Sequence, residues 1–241
     1  MADQEIPDGW SENGADSFRM LRLAFLPKTY RPVFHLLGPA TVGSIAWIAC
    51  AATLGGPSWK WILVPVLLVA ANAFEWHAHR GFLHTLGKGR ARRLYEDHTA
   101  LHHRIYWSRR MALRDWRELQ FILVPASAVY AMLGFNALIG VLIALTLDPV
   151  TARLFFMSLV AYALGYEWLH LSYHLPANHP IGRLGAIRWL ARHHSIHHDP
   201  RIMRTKNMNV TVPLWDLVRG TMATSEESQR ALGTQAEKES D

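Results

Sequence analysis

Apolar and polar residues alternate along this chain in long blocks, not at the short period of an amphipathic helix or strand. Apolar runs of this length are typical of helices that cross a bilayer. The predicted spans are residues 35–55, 59–76, 119–147 and 154–172. We therefore expect an all-α membrane protein with about four transmembrane helices, and a helical cap built from the polar blocks between and after them.

Local signals refine these spans. The GGPS stretch at 55–58 predicts a tight turn, and Trp59 and Trp61 stand where interface aromatics belong. Residues 119–147 are long for one helix, and Gly134-Phe135-Asn136 could divide them into a helix and a re-entrant piece. The pattern leaves both forms open.

The chain is interpreted as one membrane-embedded domain, residues 19–222, between two disordered ends, residues 1–18 and the acidic tail 223–241. Residues 19–34 mix Arg and Lys with Leu and Phe, which predicts a short interfacial helix. The start of the chain lacks the basic and apolar pattern of a signal peptide, so we expect the first spanning helix to direct insertion.

Two polar blocks, residues 77–118 and 175–222, are rich in arginine, which is typical of the cytoplasmic side. If both blocks build one site, the chain crosses the bilayer twice between them, so residues 119–147 should cross once. We expect a multi-pass protein of a bacterial inner membrane or of the endoplasmic reticulum. Both chain ends and both polar blocks would lie on the cytoplasmic side. The net charge of +6 is then explained by basic residues that lie beside an anionic lipid leaflet. No motif for nucleic-acid recognition accompanies it.

Cysteine chemistry is limited to Cys50, so a metal would be bound by histidine and carboxylate. The chain has 14 histidines, and all but His35 lie in or beside the polar blocks. His179 lies in a loop, and the pattern does not assign His77 or His193. The ten predicted metal ligands form four clusters: His79 and His84; His98, His102 and His103; His170 and His174; His194, His197 and His198.

Helical spacing predicts which imidazoles share an ion. Residues three or four apart share a face, so the expected pairs are His98 with His102, His170 with His174, and His194 with His197. His103 and His198 point about 100° away and should reach a second ion. His79 and His84, five apart, converge only if the helix ends or distorts near Gly81.

Ten imidazoles exceed the ligand number of one ion, so two ions are expected. Imidazole suits iron, zinc, copper or nickel, and an all-histidine pair at a membrane surface fits oxygen activation better than a structural role. Carboxylates one turn before a ligand can accept its free ring N–H. Glu75 and Glu167 are such candidates, with Asp97 and Asp199 as weaker ones, although an acid at a helix end has the same pattern.

The boxes HRGFLH (79–84), HLSYH (170–174) and HSIHH (194–198) resemble those of the fatty acid hydroxylase and sterol desaturase superfamily of membrane di-iron enzymes. The stretch NMNVTVPLWDLVRGT, with Asn209, Trp215, Asp216, Gly220 and Thr221, is similar to the segment after that family's last box. The box HTALHH departs from the usual HxxHH by one extra residue, which changes the side of the helix that His98 shows. The resemblance covers residues 70–221.

This resemblance implies an oxidoreductase, a non-haem di-iron monooxygenase that uses O₂ to hydroxylate a C–H bond of a fatty acyl, sterol or carotenoid lipid. Its cofactors would be two iron ions, with zinc possible in a purified sample. The sequence shows no fused haem domain, so electrons would come from a separate ferredoxin or cytochrome b5 type protein. Candidate substrate contacts are Phe74, Phe82, Trp107 and Trp168.

Two alternatives stay open in addition. The same site could desaturate a lipid, because spacing does not separate the two outcomes. A membrane zinc hydrolase of lipid amides or esters would need three histidines around one open zinc and a carboxylate or water.

Overall fold

A computed structural model of the chain describes residues 10–56, 58–107, 110–176 and 178–233. Within these ranges all regular structure is helical, with no strand. The α-helices are α1 Glu12–Ala24, α2 Pro32–Ala52, α3 Leu63–Ala78, α4 Arg90–Asp97, α5 His103–Ile105, α6 Leu119–Ile122, α7 Ala126–Thr146, α8 Pro149–Tyr173, α9 Gly185–His197, α10 Leu214–Arg219 and α11 Ser225–Gly233.

Four helical segments are long and apolar enough to cross a membrane, which confirms the predicted number. They are Pro32–Ala52, Trp59–Leu83, Ala126–Thr146 and Pro149–Tyr173. The second combines α3 with a 3-10 turn, Trp59–Ile62, before it and a π-helical turn, His79–Leu83, after it.

The third predicted span is interrupted, but not at residues 134–136. The chain leaves the helix at Leu123 and re-enters it after Pro125, so that α6 and α7 are separate. Proline restricts the residue before it to extended conformations and lacks an N–H, which explains the position of this break. Asn136 lies buried within the continuous α7.

Helix α8 is the central helix of the bundle and contacts α2, α3 and α7. Its Leu154 and Met157 pack with Leu54, and Val160 packs with Val129 of α7. Gly43 lets α2 approach α8 closely, because a Cβ at this position would lie 3.0 Å from Leu164 Cδ1 of α8.

The two ends of α8 differ in chemistry. Asp148 caps its start by accepting from Val150 N at 2.9 Å, and the same carboxylate pairs with Lys60 Nζ at 2.7 Å. His170 and His174 stand at its other end. Since α8 has 25 residues, about 37 Å of helix separates the two groups.

The predicted disorder of residues 1–18 is wrong for the part that the structure describes, because α1 begins at Glu12 with Ser11 as its N-cap. Arg19 of α1 is buried, donates to carbonyls of the 105–112 segment and lies 3.6 Å from the buried Glu118. These contacts dock α1 on the polar block. Residues 1–9 lie outside the described residues.

The interfacial helix predicted for residues 19–34 is instead the end of α1, a connection and the start of α2. The acidic tail is likewise helical at α11, where Ala231 is buried and Lys206 Nζ lies 3.1 Å from Glu227. The disorder predicted for the tail is therefore wrong over Ser225–Gly233, and residues 234–241 lie outside the described residues.

Candidate metal centre

All ten predicted ligands are buried and lie together at one end of the helical bundle, so both polar blocks meet there. Their nitrogens form two groups, each with five side-chain nitrogens within 4.8 Å of one another. We call them set 1 (His79, His84, His98, His103 and His197) and set 2 (His102, His170, His174, His194 and His198).

Two π-helical turns, His79–Leu83 and His98–His102, create the unusual spacing of set 1. In each turn a backbone N–H donates to the carbonyl five residues earlier, as His84 N does to His79 O at 3.2 Å. The wider turn places residues five apart on one face. The predicted distortion near Gly81 is confirmed, and the extra residue of HTALHH is accommodated by the second π-turn.

This turn corrects the expected pairing of His98 with His102. His98 Nε2 lies 3.1 Å from Nε2 of His103 in set 1, whereas His102 Nε2 lies 3.2 Å from Nε2 of His170 in set 2. A spacing of four residues would share a face only on an ideal α-helix.

The expected pairing of His194 with His197 is also wrong. His194 Nε2 lies 2.9 Å from Nε2 of His198, four residues on, and His197 faces set 1. The predicted pair His170 and His174 does share one set. His102 and His103 fall in different sets, and so do His197 and His198. This agrees with the expectation that adjacent histidines would reach different ions.

Main-chain carbonyls hold half of the ligand rings in place. Each carbonyl accepts a hydrogen bond from an Nδ1–H, which leaves the Nε2 lone pair of that neutral ring free. The ring and carbonyl pairs are His79 with Met208, His102 with Phe121, His174 with Met111, His197 with Lys206 and His198 with Tyr106. No sequence pattern marks these acceptors, because every residue carries a carbonyl.

The Nε2 atoms converge at distances that fit a shared ion. Neighbouring Nε2 atoms are 2.8–3.2 Å apart in set 1 and 2.9–3.3 Å apart in set 2. Ligands about 2.1 Å from one ion lie about 3.0 Å apart at right angles and about 3.4 Å apart at the tetrahedral angle. Five nitrogens at these distances favour a coordination number above four.

Burial keeps these imidazoles neutral. It lowers the pKa of His174 to about 4 and lowers the pKa of His102, His103, His194 and His198 well below the usual value. Neutral imidazole is the form that binds a metal. The residues present therefore fit two ions.

Glu75 does not accept a hydrogen bond from the ring of His79, as its spacing predicted, because the Met208 carbonyl is the partner of His79 Nδ1. Glu75 is buried, but its carboxylate accepts from the backbone N–H groups of Val210 and Thr211 and from the Tyr162 hydroxyl. It holds the segment whose Met208 carbonyl orients His79. Its effect on set 1 is therefore indirect.

The other three candidate carboxylates also bond elsewhere. Glu167 accepts from Val124 N at 3.1 Å, at the break between α6 and α7, and Asp199 accepts from Arg201 N at 2.9 Å. Asp97 lies in the electrostatic range of Arg93 and Arg22. Among the described contacts, none of the three reaches a ligand ring.

The segment after the last histidine box closes over α3. Asn72 accepts from Trp215 N at 3.0 Å, and Asp216 accepts from Met208 N at 2.9 Å and from Trp76 Nε1 at 3.2 Å. Asp216 is buried, and hydrogen bonds hold its pKa at about 2 despite the opposing effect of burial. In the sequence, the family resemblance alone pointed to Asp216, and no pattern predicted a role for Asn72.

The four remaining histidines stay outside both sets. His35 is buried between the Tyr30 hydroxyl and the Val124 carbonyl, and His193 is buried with Nε2 3.4 Å from Asp216. His77 is exposed, and His179 accepts from Ile181 N at 3.3 Å.

A cavity of about 1130 Å³ reaches both sets. Of the ligands, His98, His102 and His170 line it, together with apolar side chains that follow α1 and others of α6 and the start of α7. The predicted substrate contacts do not: Trp107 is buried elsewhere, and Phe74, Phe82 and Trp168 are 69%, 52% and 42% exposed. The lining of this cavity therefore gives no support for substrate contact at these four residues.

No protein-family model, curated protein or solved structure matches the chain. Function is therefore inferred from the geometry of the two histidine sets and of the cavity beside them.

Proposed function

We propose that this chain is a membrane di-iron oxidoreductase that uses O₂ to hydroxylate a C–H bond of a lipid. The observation that supports this most directly is the convergence of Nε2 lone pairs. Bare nitrogens about 3 Å apart repel one another unless a cation lies between them. Two sets of this kind therefore favour two metal ions, one in each set.

Iron fits the donor atoms and their number. Imidazole is a common ligand of iron, and five nitrogens leave a place at each ion for a further ligand. When bound, an iron pair would supply the oxidising chemistry with O₂ that an unactivated C–H bond requires. Zinc can occupy the same nitrogens in a purified sample.

The chain's own residues would position the substrate and exclude water. The shared cavity borders His98 of set 1 and His102 and His170 of set 2, so one lipid chain can approach both ions. Apolar side chains such as Leu101 and Phe121 would keep the reacting carbon away from water. Electrons would come from a separate electron-transfer protein of the ferredoxin or cytochrome b5 type.

The geometry bears differently on the alternatives. A zinc hydrolase would need a carboxylate or water near an open ion, whereas Glu75 and Glu167 are bonded to backbone N–H groups away from the rings. Lipid desaturation would use the same two sets and is separated from hydroxylation by its product. With four spans and an arginine-rich metal end, we place the site on the cytoplasmic side.

The test combines metal analysis with lipid analysis. Purified wild type should contain two ions, with iron when iron is supplied, and its host should gain a lipid heavier by one oxygen atom. A lipid lighter by two hydrogen atoms would support desaturation instead. His197→Ala/His198→Ala should abolish the new lipid. A wild type that binds one ion or none in iron-replete cells would overturn the di-iron proposal.

A further inference from the structure

The cavity beside the metal sets has one charged corner in an otherwise largely apolar lining. Arg22 of α1 and Arg93 and Asp97 of α4 line it at that corner, and all three are exposed. Both guanidinium groups act electrostatically on the Asp97 carboxylate. Two positive charges against one negative charge leave a net positive corner.

The two arginines are available to a ligand. Among the described residues, neither Arg22 nor Arg93 forms an ion pair within 4.0 Å, whereas Arg92 on the same helix pairs with Glu96 at 2.7 Å. A guanidinium can donate two hydrogen bonds to a carboxylate or phosphate. Two such groups from different helices can hold one anionic head between them.

The rest of the lining is suited to a hydrocarbon chain. Phe25 and Leu26 follow α1, Leu101 comes from the second π-turn, and Phe121 and Ile122 come from α6. The same lining includes His98, His102 and His170, which belong to the two metal sets. One cavity therefore joins a cationic corner, an apolar wall and the metal centre.

We propose that the cavity binds an amphipathic lipid whose anionic head is held by Arg22 and Arg93 while its hydrocarbon chain lies along the wall towards the metal sets. The proposal deepens the proposed function, since it selects an anionic lipid over a neutral isoprenoid or sterol. The shared head chemistry is an oxyanion, either the carboxylate of a fatty acid or a phosphate monoester.

The test is competition binding to the purified full chain in dodecyl maltoside, with radiolabelled oleate as probe. Unlabelled oleate, oleyl phosphate and oleyl alcohol have the same chain and differ in the head. We expect the anionic competitors to bind at least about tenfold more tightly than the alcohol, as one charge-assisted hydrogen bond would give. A stronger effect of oleate or of oleyl phosphate identifies the head.

Variants connect that preference to the two arginines. Arg22→Gln/Arg93→Gln should lose about tenfold in oleate affinity with little change for the alcohol, and Arg22→Lys/Arg93→Lys should retain most of it. Arg92→Gln, on the same helix but outside the cavity lining, is the matched control. Equal binding of oleate and oleyl alcohol by wild type, or an unchanged preference in the Gln variant, overturns the proposal.

Metal analysis of the same samples separates this result from the proposed function. Protein with two bound ions but no preference for anionic heads would overturn only the lipid assignment. Protein that prefers oleate but binds no metal would overturn the di-iron proposal and leave the anionic site in place.

Discussion

His197 and His198 are consecutive in the chain, yet their imidazoles complete different sets. His197 Nε2 lies 3.1 Å from Nε2 of His84 in set 1, whereas His198 Nε2 lies 2.9 Å from Nε2 of His194 in set 2. Both rings are fixed from behind by main-chain carbonyls. One turn of α9 therefore ties the two sets together, and each ion should be separable by a single substitution.

We expect His197→Ala to lose the ion of set 1 and His198→Ala to lose the ion of set 2. Each variant should retain about one of the two ions, because the other five nitrogens are unchanged. Metal analysis by mass spectrometry measures the stoichiometry. His179→Ala, outside both sets, serves as the control and should retain two ions. Loss of both ions from each variant would mean that the sets act as one site.

Glu75→Gln should weaken set 1 more than set 2. The amide oxygen can still accept from the backbone N–H groups of Val210 and Thr211, because both donate to Oε1 of Glu75. The NH₂ replaces Oε2, which accepts from the hydroxyls of Tyr162 and Thr211, and the loss of these two hydrogen bonds should loosen the segment whose Met208 carbonyl orients His79. We expect a loss of about 1–3 kcal/mol in stability and faster release of one ion to a chelator. Glu96→Gln, at an exposed pair, should change neither quantity.

Glu167→Gln should leave the metal content unchanged, in contrast to the role that its spacing from His170 suggested. Its carboxylate contacts Val124 N rather than a ligand ring, and a glutamine oxygen can accept the same hydrogen bond. The stability change should be below about 1 kcal/mol. A variant that lost one ion would restore the direct role beside His170.

The Arg19 and Glu118 side chains should be strongly coupled. Arg19→Met leaves the buried Glu118 carboxylate without its charged partner, at a cost of about 3–5 kcal/mol. Adding Glu118→Gln should recover part of that loss, since no unpaired charge then stays buried. Thermal unfolding of the wild type, both single variants and the double variant gives the coupling energy. Additive effects would show that α1 is not held by this pair.

The metal-free protein should lose stability as the pH falls below about 6.5. Burial lowers the folded-state pKa of His174 to about 4, so its stabilising effect is complete above the unfolded value near 6.5 and is lost between these two pH values. His174 alone should contribute about 3 kcal/mol of this dependence. Chemical unfolding at pH 7.5, 6, 5 and 4 measures it. His77→Gln, at an exposed position, should show the same pH dependence as wild type.

The four spans, the all-helical class and the clustering of the ten imidazoles could all be predicted from local features of the chain. Spans are visible because a bilayer requires about twenty consecutive apolar residues, a local property of the chain. The clusters of histidine indicate a metal site, because imidazoles without a partner are costly to bury. The distortion near Gly81 was also predictable, since His79 and His84 could not otherwise share a face.

The division of the imidazoles between the two sets, and the hydrogen-bond acceptors behind their rings, depend on tertiary packing. A π-turn differs from an α-turn by one residue, and this difference moves His98 from the partner expected by spacing, His102, to His103. The acceptors behind the rings are main-chain carbonyls brought from distant segments, as Met208 is to His79. Such contacts depend on the packing of helices against one another, which no local spacing encodes.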